Sequence, residues 1–228
     1  LLQGFTEFIP VSSQGHLIIF NNFFNINIMS NITILEANVI AHAGSLVAVC
    51  LYYSKQIFSL FISLRHIVRP DIDKNSTLVI QLIIATFPIL LCGFFFSKYF
   101  NYDDKSLLLI IGITSISFGA ILFFFDRFCL TVKGGREMNF LTSLFVGVFQ
   151  CLALIPGVSR AGSIIIFLRF SGYNRNFAVF FSNLLSIPVI FGATVFVIHQ
   201  NQEIFMLTEY FNLHSIGIFF FSLIFSLI

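Results

Sequence analysis

Two short motifs in this sequence carry hydroxyl, imidazole and guanidinium side chains close to a proline. Val11–Phe20 reads VSSQGHLIIF, and Val158–Phe167 reads VSRAGSIIIF. Both follow the pattern V-S-x-x-G-x, then three aliphatic residues and a phenylalanine, and each comes shortly after a proline, Pro10 or Pro156. We interpret the two copies as an internal repeat whose side chains could do chemistry.

Each motif is expected to form a helix start that attracts anions. The proline ends one helix, and Ser12 or Ser159 caps the next. A helix N-terminus exposes free N–H groups and a partial positive charge, which together attract anions. Arg160 directly follows the second cap, and its rigid fork suits phosphate oxygens. The alternative is that these serines, with Ser13, only cap helices.

Acidic and histidine side chains around the first motif add to this chemistry. Gln3 and Glu7 are four residues apart and share a helix face. We interpret Glu7 as a carboxylate for a hard divalent cation, Mg²⁺ or Ca²⁺, with a salt bridge to Arg160 as the alternative. His16 lies three residues after Ser13, so the two could meet as a nucleophile and its proton acceptor. A polar histidine at a helix interface is the alternative there.

Other polar residues are interpreted as structural. His42 could line a cavity, but we interpret both His42 and Glu36 as residues that pack inside the bundle. The cysteines form no CxxC pair and no cysteine–histidine cluster, so we interpret them as packing residues too. They are Cys50, Cys92, Cys129 and Cys151.

The composition indicates that these residues are positioned by membrane helices. Of the 228 residues 57% are hydrophobic and 10% are charged, whereas an average soluble domain carries roughly a quarter charged residues. No basic cluster is dense enough to suggest nucleic-acid binding. A helix needs about 20 residues to cross the hydrocarbon core. Five stretches meet or approach that length: Thr33–Tyr53, Asn75–Ser97, Ser106–Phe125, Met138–Ser159 and Asn176–Ile198. The predicted fold class is all-α, a polytopic transmembrane helical bundle.

Loop charges predict the sidedness of this bundle. Basic residues concentrate in 55–74 and 127–136, so these loops are placed inside, and 98–105 and 199–214 are placed outside.

This sidedness requires two re-entrant hairpins. Segment 138–168 must enter and return on the inner side, broken at Ile155–Gly157, and 1–24 must form a hairpin from the outer side, broken at Pro10. Irregular backbone at membrane depth survives only where protein buries it or where it lines a wet cavity. The repeat is then inverted, and we expect its hairpins to meet at mid-membrane. Arg160 would lie there, at a cost of roughly 2.5–3.5 kcal/mol on insertion scales, which favours a functional role.

One integral membrane domain is predicted over 1–228. Repeat one covers about 1–97 and repeat two about 138–228. Because Leu1 stands where a methionine would start a chain, and Ser215–Ile228 is a short apolar run, we expect both ends to be truncated.

The motifs and their surroundings resemble a known family. Residues 3–16, QGFTEFIPVSSQGH, resemble the first signature of the undecaprenyl-diphosphate phosphatase family of the bacitracin-resistance type, and 156–162, PGVSRAG, resemble the second. The resemblance implies an enzyme of the bacterial inner membrane, with six core spans, two re-entrant hairpins, a site open to the outside and a required divalent cation. Such an enzyme hydrolyses undecaprenyl diphosphate and so recycles the lipid carrier of peptidoglycan synthesis. Its partners are the polyprenyl diphosphate lipid and the bilayer, without nucleic acid, and oligomers remain possible.

The resemblance also implies roles for single residues. Ser13 would be the nucleophile, His16 its acid–base partner and Arg160 the diphosphate clamp, although a metal-activated water could replace Ser13. Glu7 and Gln3 would hold the metal. The residues expected to bind substrate are Ser12, Gln14, Gly157, Ser159 and Gly162. Two positions are notable. Family members have either Glu or Gln at the position of Gln3, and they often have Ser at the position of Ala161. A transporter or flippase of a phosphorylated polyprenyl lipid is the alternative function.

Overall fold

A computed structural model describes residues 1–24, 34–66, 73–99, 104–132, 138–200 and 213–228 of the chain. In these ranges the regular elements are helices. They are α1 (Leu2–Thr6), α2 (Ser13–Phe24), α3 (Ile34–Tyr52), α4 (Ser54–Ser63), α5 (Lys74–Tyr99), α6 (Asp104–Phe128), α7 (Phe140–Gln150), α8 (Arg160–Phe170), α9 (Arg175–Gln200) and α10 (Leu213–Leu227). Short 3₁₀ helices, Leu64–His66 and Cys151–Leu154, follow α4 and α7.

Four of the five predicted membrane spans are confirmed as single helices. In the part of the chain that the structure describes, α3, α5, α6 and α9 are long and apolar enough to cross a membrane. Large apolar side chains cover their outer faces, for example Phe95 on α5 and Ile116 on α6, which are 52% and 77% exposed. Contact of such apolar faces with lipid tails is favourable, whereas their contact with water is not. The protein is a multi-pass helical membrane protein.

The fifth stretch, Met138–Ser159, is not one continuous helix. The predicted sidedness required such an interruption. Helix α7 and its 3₁₀ extension end at Leu154, and Ile155 is extended, with φ −75° and ψ 125°. Gly157 has φ +89°, a left-handed conformation that favours glycine. The helical chain resumes at α8, capped by Ser159. The predicted break at Ile155–Gly157 is confirmed.

The end of α8 and the segment before α7 are both held by contacts with neighbouring helices. The α8 end meets the α6 end through Arg169, whose Nη2 donates to the carbonyl oxygens of Cys129 at 2.8 Å and Asp126 at 3.3 Å. Arg175, at the start of α9, pairs with the Asp126 carboxylate. Before α7, the carbonyl oxygen of Met138 accepts from Gln81, which lies in the first half of α5.

The first hairpin consists of α1, a turn over Glu7–Pro10 and α2, and it packs on α10. Ser226 Oγ donates to the carbonyl oxygen of Gly4 at 3.0 Å. A Cβ at Gly4 would lie 2.5 Å from the carbonyl oxygen of Ser222, so this approach requires glycine. The predicted break at Pro10 is also confirmed, because α1 ends at Thr6 and α2 begins at Ser13.

Helices of the first half of the chain pack against helices of the second half. Helix α1 of the first half packs on α10 of the second, and α7 of the second half packs on α5 of the first. Helix α9 packs against α3, α5 and α8, so its residues Phe181, Leu184 and Leu185 are almost fully buried. The repeat boundaries and the truncation stay predictions. So does the sidedness, because residues 67–72, 100–103, 133–137 and 201–212 of the charged loops lie outside the described residues.

Candidate active site

The two helix breaks meet, and their caps form as predicted. Ser12 Oγ accepts from the backbone N–H of Gly15 at 3.1 Å, and Ser159 Oγ accepts from that of Gly162 at 3.2 Å. A Cβ at Gly162 would lie 3.2 Å from Ser159 Cβ and 3.5 Å from the carbonyl oxygen of Pro10, so a small residue lets the hairpins approach. The shared S-x-x-G pattern thus encodes both the cap and the contact.

Glu7 is the centre of the polar cluster between the hairpins. Its Oε1 accepts from Arg160 Nη2 at 3.2 Å. Its Oε2 accepts from Ser13 Oγ at 2.8 Å and from Gln3 Nε2 at 2.7 Å. The Glu7 and Arg160 side chains are only 6% and 14% exposed. The salt bridge that the sequence left as an alternative is present, and it pairs two charges that would be costly alone.

Two polar atoms of this cluster are buried without a hydrogen-bond partner. They are Nη1 of Arg160 and Oε1 of Gln3, as judged over the described residues. A buried group left without a partner costs about 1–3 kcal/mol. One atom is a cationic donor and the other an acceptor, so a ligand with an anionic oxygen and either a cation or a hydroxyl group would satisfy both.

The cluster opens into a cavity of about 360 Å³. Its polar wall includes Glu7, Ser13, Gln14, His42 and Arg160. Much of the remaining wall is aliphatic, formed by Leu17, Leu35, Val39, Ile89, Val189, Ile190 and Val197. A cavity whose wall combines a charged cluster with aliphatic side chains suits an amphiphile with an anionic head group.

Most of the predicted substrate-binding residues line this cavity. Ser12, Gln14, Gly157 and Ser159 are on its wall. Gly162 instead lines a second cavity of about 210 Å³, which lies between the hairpins and α6.

His16 does not lie where the predicted pairing with Ser13 needs it. Its Nδ1 is 2.7 Å from the carbonyl oxygen of Ser12, and its ring lines the second cavity. Ser13 Oγ donates to Glu7 instead. The spacing of three residues places both side chains on the first turn, but the turn that precedes the helix brings Glu7 back over Ser13.

His42 was interpreted as a packing residue, and that interpretation is wrong. It lines the large cavity, its Nδ1 is 2.9 Å from Gln3 Nε2, and the same nitrogen is 3.8 Å from Glu7 Oε2. A usable signal existed, because a histidine within an apolar span is costly and marks a functional candidate.

The donor set decides how a metal could be held. Across the residues that the structure describes, no three histidine, cysteine or acidic side chains gather as a metal site. Glu7 and the free Oε1 of Gln3 offer two oxygen ligands. Mg²⁺ commonly binds through one or two protein oxygens together with substrate phosphates and water. The residues therefore fit a cation that a diphosphate brings with it.

Comparison with known proteins agrees with the resemblance. The family model for bacitracin resistance protein BacA matches residues 1–228. An undecaprenyl-diphosphatase of Aliivibrio salmonicida (strain LFI1238) is 37% identical over 191 residues, which cover 83% of this chain and 70% of that protein. Undecaprenyl-diphosphatases of Jannaschia sp. (strain CCS1) and Alkaliphilus metalliredigens (strain QYMF) are 35% and 34% identical over 86% and 90% of this chain, and over 72% and 76% of their own lengths. This chain belongs to the bacitracin resistance protein BacA family.

Proposed function

We propose that this membrane protein hydrolyses undecaprenyl diphosphate to undecaprenyl phosphate and inorganic phosphate. The observation that carries the proposal is the cluster of Glu7, Ser13 and Arg160 in the wall of a cavity that is lined elsewhere mainly by aliphatic side chains. The relatives of this chain are named undecaprenyl-diphosphatases. The reaction recycles the lipid carrier of peptidoglycan synthesis, and it accounts for bacitracin resistance.

Substrate binding follows from charge and shape. Arg160 holds the diphosphate through its free Nη1, while Nη2 remains on Glu7. The starts of α2 and α8 line the same cavity, and helix N-termini favour anions there. The aliphatic wall receives the first part of the polyprenyl chain. Phosphoryl transfer needs mainly positioning and charge stabilisation, which these groups supply.

Ser13 is the proposed nucleophile. Its Oγ attacks the terminal phosphorus, and its proton passes to Glu7 Oε2, which already accepts the hydrogen bond at 2.8 Å. The bond between the terminal phosphorus and the bridging oxygen breaks, and undecaprenyl phosphate leaves with that oxygen. Water then cleaves the phosphoserine, releasing phosphate and restoring the hydroxyl. Arg160 stabilises the charge that develops on the phosphate oxygens.

A divalent cation, Mg²⁺ or Ca²⁺, is proposed as cofactor, with Glu7 and Gln3 as its protein ligands. When bound, it would neutralise phosphate charge. Chelation should abolish phosphate release, and either ion should be tested for restoring it. Full activity of extensively chelated enzyme would contradict a metal requirement.

The proposed location is the bacterial inner membrane, with the cavity open to the outer side. The loop charges support this sidedness. Association into oligomers is compatible with the proposal but is not required by it.

The central experiment uses purified protein, undecaprenyl diphosphate and Mg²⁺. The wild type should release phosphate, and Ser13→Ala should lower kcat at least about 100-fold, because it removes the nucleophile. Acid quenching with substrate labelled in the terminal phosphate should trap label on wild-type protein and none on the variant. Normal turnover by Ser13→Ala would exclude Ser13 as nucleophile. Lipid translocation without any hydrolysis would instead identify a transporter.

A further inference from the structure

His42 stands at the edge of the cluster without an assigned role. It projects from α3, whereas Gln3 and Glu7 belong to the first hairpin and Arg160 to the second. Its side chain is 33% exposed and faces the large cavity. Its Nδ1 is 3.8 Å from Glu7 Oε2, and Glu7 in turn pairs with Arg160.

The hydrogen bonds of Gln3 determine what His42 does. The amide nitrogen has two hydrogens. One is directed at Glu7 Oε2 at 2.7 Å, and His42 Nδ1, at 2.9 Å, is placed to accept the other. The second ring nitrogen of His42 is farther from this amide, at 3.5 Å. Nδ1 is therefore the nitrogen placed to accept, which requires the tautomer with its ring proton on Nε2.

This arrangement fixes which way the Gln3 amide faces. A flipped amide would place Oε1 against the Glu7 carboxylate and against the lone pair of Nδ1, and both contacts are repulsive. In the observed orientation Oε1 is buried and has no partner among the described residues. It is thereby kept free for the ligand.

We propose that His42 is a positioning residue that acts through Gln3. By accepting from Nε2, it holds the amide so that Nε2 restrains Glu7 beside Ser13 and Oε1 faces the cation or hydroxyl of the bound substrate. The proposal rests on the proposed function for its kinetic consequence, whereas the hydrogen bond itself can be tested separately.

The kinetic test compares His42→Asn with His42→Leu. Asn places an acceptor oxygen close to the position of Nδ1, and Leu has a similar size without an acceptor. Loss of one hydrogen bond should lower kcat of His42→Leu about tenfold, with KM changed much less. His42→Asn should retain at least about a third of wild-type kcat. Equal losses in the two variants, or none in His42→Leu, would overturn the proposal.

A double-mutant cycle tests whether His42 acts through Gln3. In a Gln3→Leu background, adding His42→Leu should cost no further activity, because the amide that it positions is gone. Additive losses would show that His42 acts independently and would overturn the proposal.

A spectroscopic test is independent of catalysis. In folded wild-type protein with ¹⁵N-labelled histidine, the His42 ring should show an unprotonated Nδ1 and a protonated Nε2. The signal is assigned by its disappearance in His42→Asn. The opposite tautomer would overturn the proposal even if the enzyme were active. The expected tautomer in a protein without phosphatase activity would mean that the proposed function, not the hydrogen bond, is wrong.

Discussion

At the scale of single residues, the site depends on one carboxylate that contacts several polar side chains. Glu7 pairs with Arg160 and accepts hydrogen bonds from Ser13 and from the Gln3 amide. Its burial strengthens each contact, because the local dielectric is low. The same burial makes the pair fragile, since removal of either partner leaves an unpaired charge inside the protein.

The geometry of the Arg160 fork can be tested without changing the charge. Arg160→Lys keeps a cation but cannot bind Glu7 and phosphate with two parallel donors. We expect kcat/KM to fall about 100-fold, a loss of about 2.7 kcal/mol in transition-state stabilisation.

Arg127→Lys is the matched control for this change. Arg127 is exposed near the end of α6 and lines neither cavity. Its replacement should leave steady-state phosphate release unchanged. If the two lysine variants behaved alike, the role of the Arg160 guanidinium in joining Glu7 to the phosphate would be refuted.

At the scale of elements, the breaks in the helices are what create the site. The second break depends on Gly157, whose φ is +89° and whose missing side chain leaves room for α6. Thr114 Oγ1 donates to the carbonyl oxygen of Pro156 at 2.6 Å, and Ser115 Oγ donates to that of Gly157 at 3.2 Å. Helix α6 thus satisfies backbone groups that have no helical partner, as irregular backbone in a membrane requires.

Gly157→Ala should therefore be strongly destabilising. An added Cβ would lie 2.2 Å from Thr114 Oγ1 and 2.8 Å from the carbonyl oxygen of Ile111, in addition to the strain of the positive φ. We expect a loss of at least about 2 kcal/mol, measured as a lower melting temperature in detergent. Gly112→Ala is the control, since an added Cβ there meets nothing within 4 Å and α6 is helical at that point. A melting temperature of Gly157→Ala equal to that of Gly112→Ala would contradict this account of the break.

At the scale of the whole molecule, Arg169 connects the ends of three helices. The side chain is 7% exposed. Its Nη1 donates to the carbonyl oxygen of Tyr173 at 2.8 Å and to Thr131 Oγ1 at 2.9 Å, while Nη2 bonds the carbonyl oxygens near the end of α6. This set holds the α8–α9 connection against α6 and so fixes the second hairpin in the bundle.

Arg169→Lys should lower the stability of the whole fold. An ammonium group cannot reach four acceptors that are arranged around a planar guanidinium. We expect a loss of about 3 kcal/mol, seen as early unfolding by size-exclusion chromatography after heating. Arg175→Lys is the control, because Arg175 pairs with the same Asp126 but is 65% exposed, and exposed pairs contribute little. Equal behaviour of the two variants would show that the buried network does not stabilise the hairpin.

The sequence by itself determined the elements and much of the site. Apolar length predicted the helices α3, α5, α6 and α9, and loop charge with proline placement predicted both breaks. The S-x-x-G pattern predicted both caps, because capping is a local interaction between a serine oxygen and an N–H three residues on. The motifs predicted Glu7, Ser13 and Arg160 as site residues, and the structure brings these three side chains together.

Only the tertiary structure decided which side chains meet. His42 is part of the cluster because α3 packs against the first hairpin. The position of His42 relative to Gln3 depends on how helices pack across the bundle. His16 is not part of the cluster, because the turn before α2 brings Glu7, and not the imidazole, to Ser13. Helical spacing shows which residues share a face of one helix, whereas the partner of that face is fixed by contacts between segments far apart in the chain.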